Sequence, residues 1–243
     1  MPCSPPGAPR ACRSWSTGPP RGARRSATGL PSSDPAPWAS PCSSATAAAT
    51  RARASSAAPP QFCAWLYDPG RNGGGALVDY CGYGAILCRA VLGRPVAITA
   101  LASRLRKEGL AAEDNAVVVL RYPRALGLLE ASWTQIGGEP AFAMIVYGDR
   151  GTLLVHQPRA VREGQKVDSG RVQLVTGDRS ELVDPPALAA DERDGPTYFL
   201  SRVAAGRPID GLCAPEVGRD AQEVIAAALR SAETGREVTL PAT

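Results

Sequence analysis

The sequence predicts an α+β domain, a sheet with helices on one face, preceded by a disordered low-complexity tail. Three observations predict it. Apolar residues recur at helical spacing around residues 77–92, switch to short strand-like runs between 95 and 156, and return to helical spacing after 196. Short Gly-, Pro- and Asp-containing links separate the strand-like runs, which favours antiparallel neighbours, because a parallel pair needs a crossover of about a dozen residues or more. Residues 1–60 hold twelve of the 23 prolines and no Val, Ile, Phe or Tyr.

That first segment is also where the charge lies. It has seven Arg, no Lys and a single acid, Asp34, so it carries +6, while residues 61–243 carry −2. The net charge of +4 and the pI near 8.8 therefore describe the tail. A basic folded surface, as a nucleic-acid-binding domain would need, is excluded as their source. Beyond Ala, Cys and Pro, the tail's apolar residues are Met1, Trp15, Leu30 and Trp38. Such a segment cannot offset an ordering cost of roughly 1–2 kcal/mol per residue. The expected division is thus 1–60, a disordered Pro/Ala/Ser/Arg-rich segment, and 61–243, the folded domain. No apolar core follows Met1, which argues against a secretory signal. A transit segment, a native tail and a shifted reading frame stay open at this level. The RGARR run at 21–25 reads first as a solvated charged tail and second as a phosphate contact.

The elements follow in order. Leu77, Cys81, Ala85, Cys88 and Leu92 form one stripe of a helix that begins after Gly73–Gly75. Gly82 and Gly84 each cost about 1 kcal/mol relative to Ala inside that helix. Close packing of backbone or ligand would explain them. Strands are expected at Pro95–Leu105, Asn115–Tyr122, Leu126–Gln135, Ala141–Tyr147 and Thr152–His156, with a further one at Arg171–Thr176. Residues 157–170 and 177–194 read as loops or short irregular pieces. Pro196–Ala205 and roughly Glu216–Glu233 are helices, closed by Gly206 and Gly235. Glu237–Leu240 is expected to add a terminal strand.

Seven Cys with no C-x-x-C pair signal neither a disulfide framework nor a thiolate zinc site. Cys81, Cys88 and Cys213 lie in apolar runs and read as small core residues in a reducing compartment, so a cytoplasmic location is expected. No run of 18 uninterrupted apolar residues occurs, and no membrane span is expected. His156, the only histidine, lies in a strand-like run and reads as structural.

Chemistry concentrates at Asp79, the only charge between Arg71 and Arg89. Tyr83, four residues on, shares its helical face. A carboxylate and a phenol beside a glycine-rich turn can exchange a proton with a substrate hydroxyl. The bland alternative is that Asp79, in the first helical turn, offsets unpaired backbone N–H groups. Trp65 and Tyr67 could wall a polar small-molecule site or simply pack.

These residues carry a resemblance. W-L-Y-D-P-x-x-x-G-G-G-A-L-x-D-Y-x-x-Y from Trp65 to Tyr83, E-D-N-A-V-V-V-L-R-Y-P at 113–123, Y-G-D-R-G-T-L at 147–153 and the ending from Tyr198 through G-R-E-V-T-L-P resemble the C-terminal domain of Gfo/Idh/MocA oxidoreductases, over about residues 62–241. The resemblance implies an open, mostly antiparallel sheet whose free face often forms an oligomer interface. It implies a sugar, inositol or polyol substrate and hydride exchange with NAD(P). It places Asp79 and Tyr83 at the family's D-x-x-x-H/Y positions, as catalytic groups. A phenol, with a reference pKa near ~10, is a weaker base at neutral pH than His. The dinucleotide fingerprint G-x-G-x-x-G is absent, and Gly73–Gly75 leads into the substrate-domain helix instead. The family's E-K-P lysine is absent too, the first Lys being Lys107. The expectation is an oxidoreductase-family chain reduced to its substrate-binding and oligomerisation domain, inactive alone and without tight NAD(P) binding. A non-catalytic binding or oligomerisation module is the alternative, and action on nucleic acid through the basic tail comes last.

Overall fold

The structure, a computed structural model, describes residues 44–48, 59–134, 142–156, 171–183 and 187–241. Its strands are β1 (Ser44–Ala48), β2 (Ala97–Ser103), β3 (Asn115–Arg121), β4 (Leu126–Ser132), β5 (Phe142–Tyr147), β6 (Thr152–His156), β7 (Val172–Thr176), β8 (Arg179–Val183) and β9 (Val238–Thr239). They form one sheet in the order β8-β7-β6-β5-β1-β4-β3-β2-β9. Among the described strands only β1 and β4 pair in parallel. The expected α+β class, a mostly antiparallel sheet with helices on one face, is what the chain adopts.

Two features depart from expectation. β1 comes from within the segment expected to be disordered, and it joins two antiparallel four-stranded halves, pairing with β4 on one side and β5 on the other. Ser-Ala-Thr-Ala-Ala has no apolar alternation, so nothing local marks it as a strand. A central strand, however, draws its backbone hydrogen bonds from both neighbours and needs little from its own side chains. The other residues of 1–58, and the loop expected at 157–170, lie outside the described residues. Within 177–194 the chain forms β8 and a short 3₁₀ turn at Ala190–Glu192, where loop was expected. Gly177, at φ 59°, and Asp178 make the two-residue turn into β8. Every side chain of this edge strand is exposed, so it leaves no hydrophobic period to read.

Among the described residues there are five α-helices: α1 (Pro60–Leu66), α2 (Pro69–Asn72), α3 (Ala76–Leu92), α4 (Gly195–Ala204) and α5 (Pro215–Thr234). α3 and α5 pack on one another and on β2, β3 and β4. The α3 stripe is buried at Leu77, Cys81, Ala85 and Cys88, as its spacing predicts. Burial pushes the Cys81 and Cys88 thiols up to about 12, with the Glu113 charge adding to it at Cys81. Cys213, expected in the core, is exposed. Pro69–Leu92 is long and apolar enough for a membrane span, but the buried stripe explains its composition as that of a core helix. The core is completed from the sheet by Ile98, Val118, Leu120 and Leu129 and from α5 by Val224 and Ile225.

The opposite face of the sheet carries exposed apolar side chains. Leu101 is 74% exposed and pairs with exposed Val117, and exposed Leu126 lies next to Arg121 in the register. Pleating puts these on the side away from Ala100, Val118 and Leu129, which face the helices.

Two polar ties hold helix to sheet. The buried Ser231 hydroxyl of α5 accepts the amide of Ala100 at 2.9 Å, just beyond the Ala97 and Ile98 pairs that β9 makes with β2. Asp220 of α5, 3% exposed, accepts from Arg89 at 2.7 Å, Arg94 at 2.5 Å and Arg219 at 2.7 Å, and Arg94 also reaches Glu223 at 2.7 Å. Burial works to raise the Asp220 carboxyl, but the three guanidinium groups outweigh it and hold the pKa at about 2. Unfolded aspartate titrates near ~3.9. The depressed folded value therefore stabilises fully above that pH and is lost as pH falls toward about 2. Asp220→Asn is expected to cost about 2 kcal/mol in urea unfolding at pH 7, because it removes the buried charged acceptor shared by the partly exposed Arg89 and Arg94. The gap from the parent should narrow as pH falls from about 4 to about 2; a gap independent of pH would reject the ion network as its origin.

Candidate functional site

The site is built where α1, α2 and the start of α3 meet the ends of β2, β3 and β4. Asp68 caps α2 by accepting the Gly70 amide at 2.9 Å, and α2 closes on Gly73, at φ 86°. A left-handed residue is what an L side chain resists, so glycine is required there. The chain then turns into α3, whose first N–H groups have no partner within the helix. Glu113 supplies it from a distant loop. Its Oε1 accepts from Gly75 at 2.8 Å and Leu77 at 3.1 Å, and its carbonyl accepts from Ala76 at 3.0 Å.

Such contact demands close approach. A Cβ on Gly75 would lie 2.0 Å from the Glu113 carbonyl oxygen and 2.9 Å from the Ala112 Cβ. The glycine run is therefore explained at Gly73 by dihedral angle and at Gly75 by contact. Gly82 is different: a Cβ there would meet nothing within 4 Å. The close packing expected at Gly82 is absent, while Gly84 is buried.

With Glu113 in place, Asp79 does not cap the helix. Its Oδ2 accepts the indole N–H of Trp133 at 2.9 Å. Asp79 is half-buried, and burial raises its pKa while the Trp133 hydrogen bond works to lower it. Trp133 is 1% exposed, and Tyr67 meets it edge-on with ring centroids 5.3 Å apart. Burial raises the Tyr67 pKa, aided by the nearby Cys63, Asp79 and Tyr80. The Lys107 ammonium lies 5.2 Å from the Tyr67 ring centroid and 5.6 Å from that of Trp133.

Asp114 organises this group from beneath. Buried, it accepts the amides of Leu105 at 2.7 Å, Arg106 at 3.0 Å and Lys107 at 2.8 Å, plus the Asn115 side chain at 2.8 Å. Its carbonyl accepts the Trp133 amide at 2.8 Å. Burial would raise its carboxyl, yet these donors outweigh that and hold the pKa at about 2.

Of the residues picked out in the sequence, the structure thus brings together Asp79 and Tyr67. Tyr83 lies one turn further along α3 and is 67% exposed. Trp65 is exposed and packs on Phe62, with centroids 5.8 Å apart, not on Tyr67. Trp133, Lys107, Glu113 and Asp114 were missed as site residues. The E-D pair at 113–114 and the large aromatic just after β4 were visible, but Glu113 meets the start of α3 across 36 to 38 residues and Trp133 meets Asp79 across 54, and no local pattern joins them.

The described residues do not fit a dinucleotide at the glycine-rich helix start. The N–H groups that would receive a pyrophosphate are taken by the Glu113 carboxylate, whose charge would also repel it. Among the described residues no group of His, Cys, Asp and Glu is arranged to hold a metal ion.

Comparison with known proteins places this arrangement. Residues 46–154 match the model of the GFO/IDH/MocA C-terminal domain. No curated protein matches. Among solved structures, an oxidoreductase from Klebsiella pneumoniae is 21% identical with a TM-score of 0.58, over 82% of this chain and 56% of that one. The aldose-aldose oxidoreductase from Caulobacter crescentus, solved with glycerol, is 18% identical with a TM-score of 0.59, over 82% and 55%. A levoglucosan dehydrogenase, solved with NADH and levoglucosan, is 17% identical with a TM-score of 0.59, over 82% and 58%. The chain spans little more than half the length of these structures, and at such identities the likeness is one of fold.

The two glycines give opposite expectations for stability. Gly75→Ala should destabilise by at least about 1–3 kcal/mol, since backbone must move, whereas Gly82→Ala should stabilise by up to about 1 kcal/mol. Urea midpoints compare them directly. Equal signs would undo the assignment of Gly75 to close packing.

Proposed function

We propose that this chain, a member of the GFO/IDH/MocA family through its C-terminal domain, supplies the substrate side of an oxidoreductase acting on a sugar or polyol. The single observation that carries the reading is the Asp79 carboxylate, half-buried and held by an indole N–H beside Tyr67. A carboxylate in such a place accepts the hydrogen bond of a carbinol hydroxyl, and can take its proton as the carbon is oxidised. A partly desolvated acid with a raised pKa returns that proton more readily in the reverse direction. Tyr67 offers an aromatic wall to the apolar face of a sugar ring, and Trp65, exposed and packed on Phe62, is a separate contact further out. Tyr83, exposed and one turn further along the same helix, is the second proton-bearing group.

Hydride exchange with NAD(P) needs a dinucleotide site that the described residues do not form. The proposal is therefore a half-site whose nucleotide chemistry is provided by structure beyond these residues. A non-catalytic polyol-binding or oligomerisation module is the second reading, favoured by the Glu113 carboxylate standing where a pyrophosphate would dock.

Isothermal titration of the chain with myo-inositol and with NADH tests the reading. Polyol binding is expected, weakened by about tenfold or more in Asp79→Leu, which removes a charge-assisted hydrogen bond. NADH should show no saturable binding at micromolar concentration. Tight NADH binding would reject the half-site, and polyol binding indifferent to Asp79 would reject the assignment of the site.

Assembly is the second part of the proposal. The exposed face around Leu101, Val117 and Leu126 is an apolar patch of the kind that marks an interface, and we place a homo-oligomer contact there. Light scattering should report a dimer or larger species, and Leu101→Glu should shift it toward monomer. A parent chain that is monomeric at high concentration would refute the interface.

A further inference from the structure

We propose that Trp133 is the positioning residue for Asp79: its indole N–H fixes one carboxylate oxygen so that the other is presented to the substrate hydroxyl. The inference rests on the polyol reading above and adds to it a residue that neither the sequence motif nor the family match singles out.

A buried indole N–H must find an acceptor, because leaving it unpaired costs about 1–3 kcal/mol. Trp133 is 1% exposed, and its N–H donates to Asp79 Oδ2 at 2.9 Å. An ionised carboxylate has about four acceptor positions on two oxygens. One bond to Oδ2 orients the group and leaves Oδ1 for a ligand.

The Trp133 amide is bound to the Asp114 carbonyl at 2.8 Å, and its ring meets Tyr67 edge-on at 5.3 Å. The Lys107 ammonium lies near both rings, and the amide of Lys107 is itself held by Asp114 at 2.8 Å. A cation against the indole π system polarises the ring and strengthens its N–H as a donor. Asp79 thus sits at the end of a chain of fixed groups: Asp114 holds Trp133 and Lys107, and Trp133 holds Asp79. Cys63 from α1, Tyr67 from the α1–α2 turn, Tyr80 from α3 and Lys107 from the loop before β3 are titratable neighbours of these fixed groups.

Tyr83 is the residue that sequence spacing pairs with Asp79, yet it is 67% exposed. The hydrogen-bond donor that the structure gives Asp79 comes from the end of β4, 54 residues away.

The pair can be read without turnover. In the full chain, Asp79 Cγ and the Trp133 indole N–H are followed by NMR across pH, the indole of Trp133 being one of four in the sequence. Both signals should move with the same midpoint. Trp133→Phe keeps a buried ring but removes the donor, and should raise the Asp79 midpoint, with the fold confirmed by the amide spectrum. A folded Trp133→Phe protein with an unmoved Asp79 midpoint would overturn the proposal. Should that variant not fold, Asp79→Leu in the parent decides: the indole resonance must shift and lose its pH dependence, and an unmoved resonance overturns the pair. In parallel, Trp133→Phe, or in its absence Asp79→Asn, should weaken myo-inositol binding by about tenfold; unchanged affinity would leave Trp133 structural only. Failure of myo-inositol to bind the parent chain counts against the substrate reading alone, and the coupled titration still decides the pair.

Discussion

Two adjacent acids, Glu113 and Asp114, tie the candidate site together, and most of what stands around it depends on them. Glu113 reaches one way and closes the start of α3, replacing the missing intrahelical partners of Gly75, Ala76 and Leu77. Asp114 reaches the other way and gathers three consecutive amides of the 105–107 loop together with the amide of Trp133. The helix that carries Asp79 and the strand end that carries Trp133 are therefore fastened to the same dipeptide. Their hydrogen bond is a consequence of that fastening. Charge-assisted bonds to backbone N–H groups are among the stronger ones a protein makes, roughly twice the neutral kind.

The same economy explains the glycines. Gly75 is where the α3 backbone meets the Glu113 carbonyl, so the run that looks like a ligand cradle is filled by the protein itself. A negative carboxylate occupies the positive end of α3. That choice favours a neutral, hydroxyl-bearing ligand near Asp79 over a phosphate at the helix start.

At the far end of α3 the charge logic repeats with different members. Arg89 from α3, Arg94 from the turn into β2 and Arg219 from α5 converge on buried Asp220, binding the two core helices and the sheet edge at one point. α3 is thus pinned by carboxylates at both ends, Glu113 at its N-terminal end and Asp220 near its C-terminal end, with a buried apolar stripe between. A helix held in this way presents Asp79 at a fixed depth. Among the described residues the opposite face of the sheet carries exposed apolar side chains, the surface on which the proposed second copy would sit.

How much of this could be read from the chain divides along physical lines. Helical spacing at Leu77, Cys81, Ala85 and Cys88 and the strand runs at 97–103, 115–121 and 126–132 were legible, because one buried face imposes its period on local sequence. Asp79 and Tyr67 were legible as chemistry, because a lone acid in an apolar helix and an aromatic beside a turn are unusual choices. β8 was not legible, since an edge strand with every side chain exposed has no period. Neither was β1, whose strand form is set by β4 and β5. Cys213 was misplaced because an apolar neighbourhood in sequence is not burial. By itself, then, the sequence determined the elements that bury one face and the α+β class, and it marked the lone acid on which the candidate site is proposed. Only the tertiary structure decided the partner of that acid, Trp133 in place of Tyr83, and the cap of α3, Glu113 in place of Asp79. Both are contacts between residues 36 to 54 positions apart, governed by the desolvation of buried polar groups and not by any local spacing.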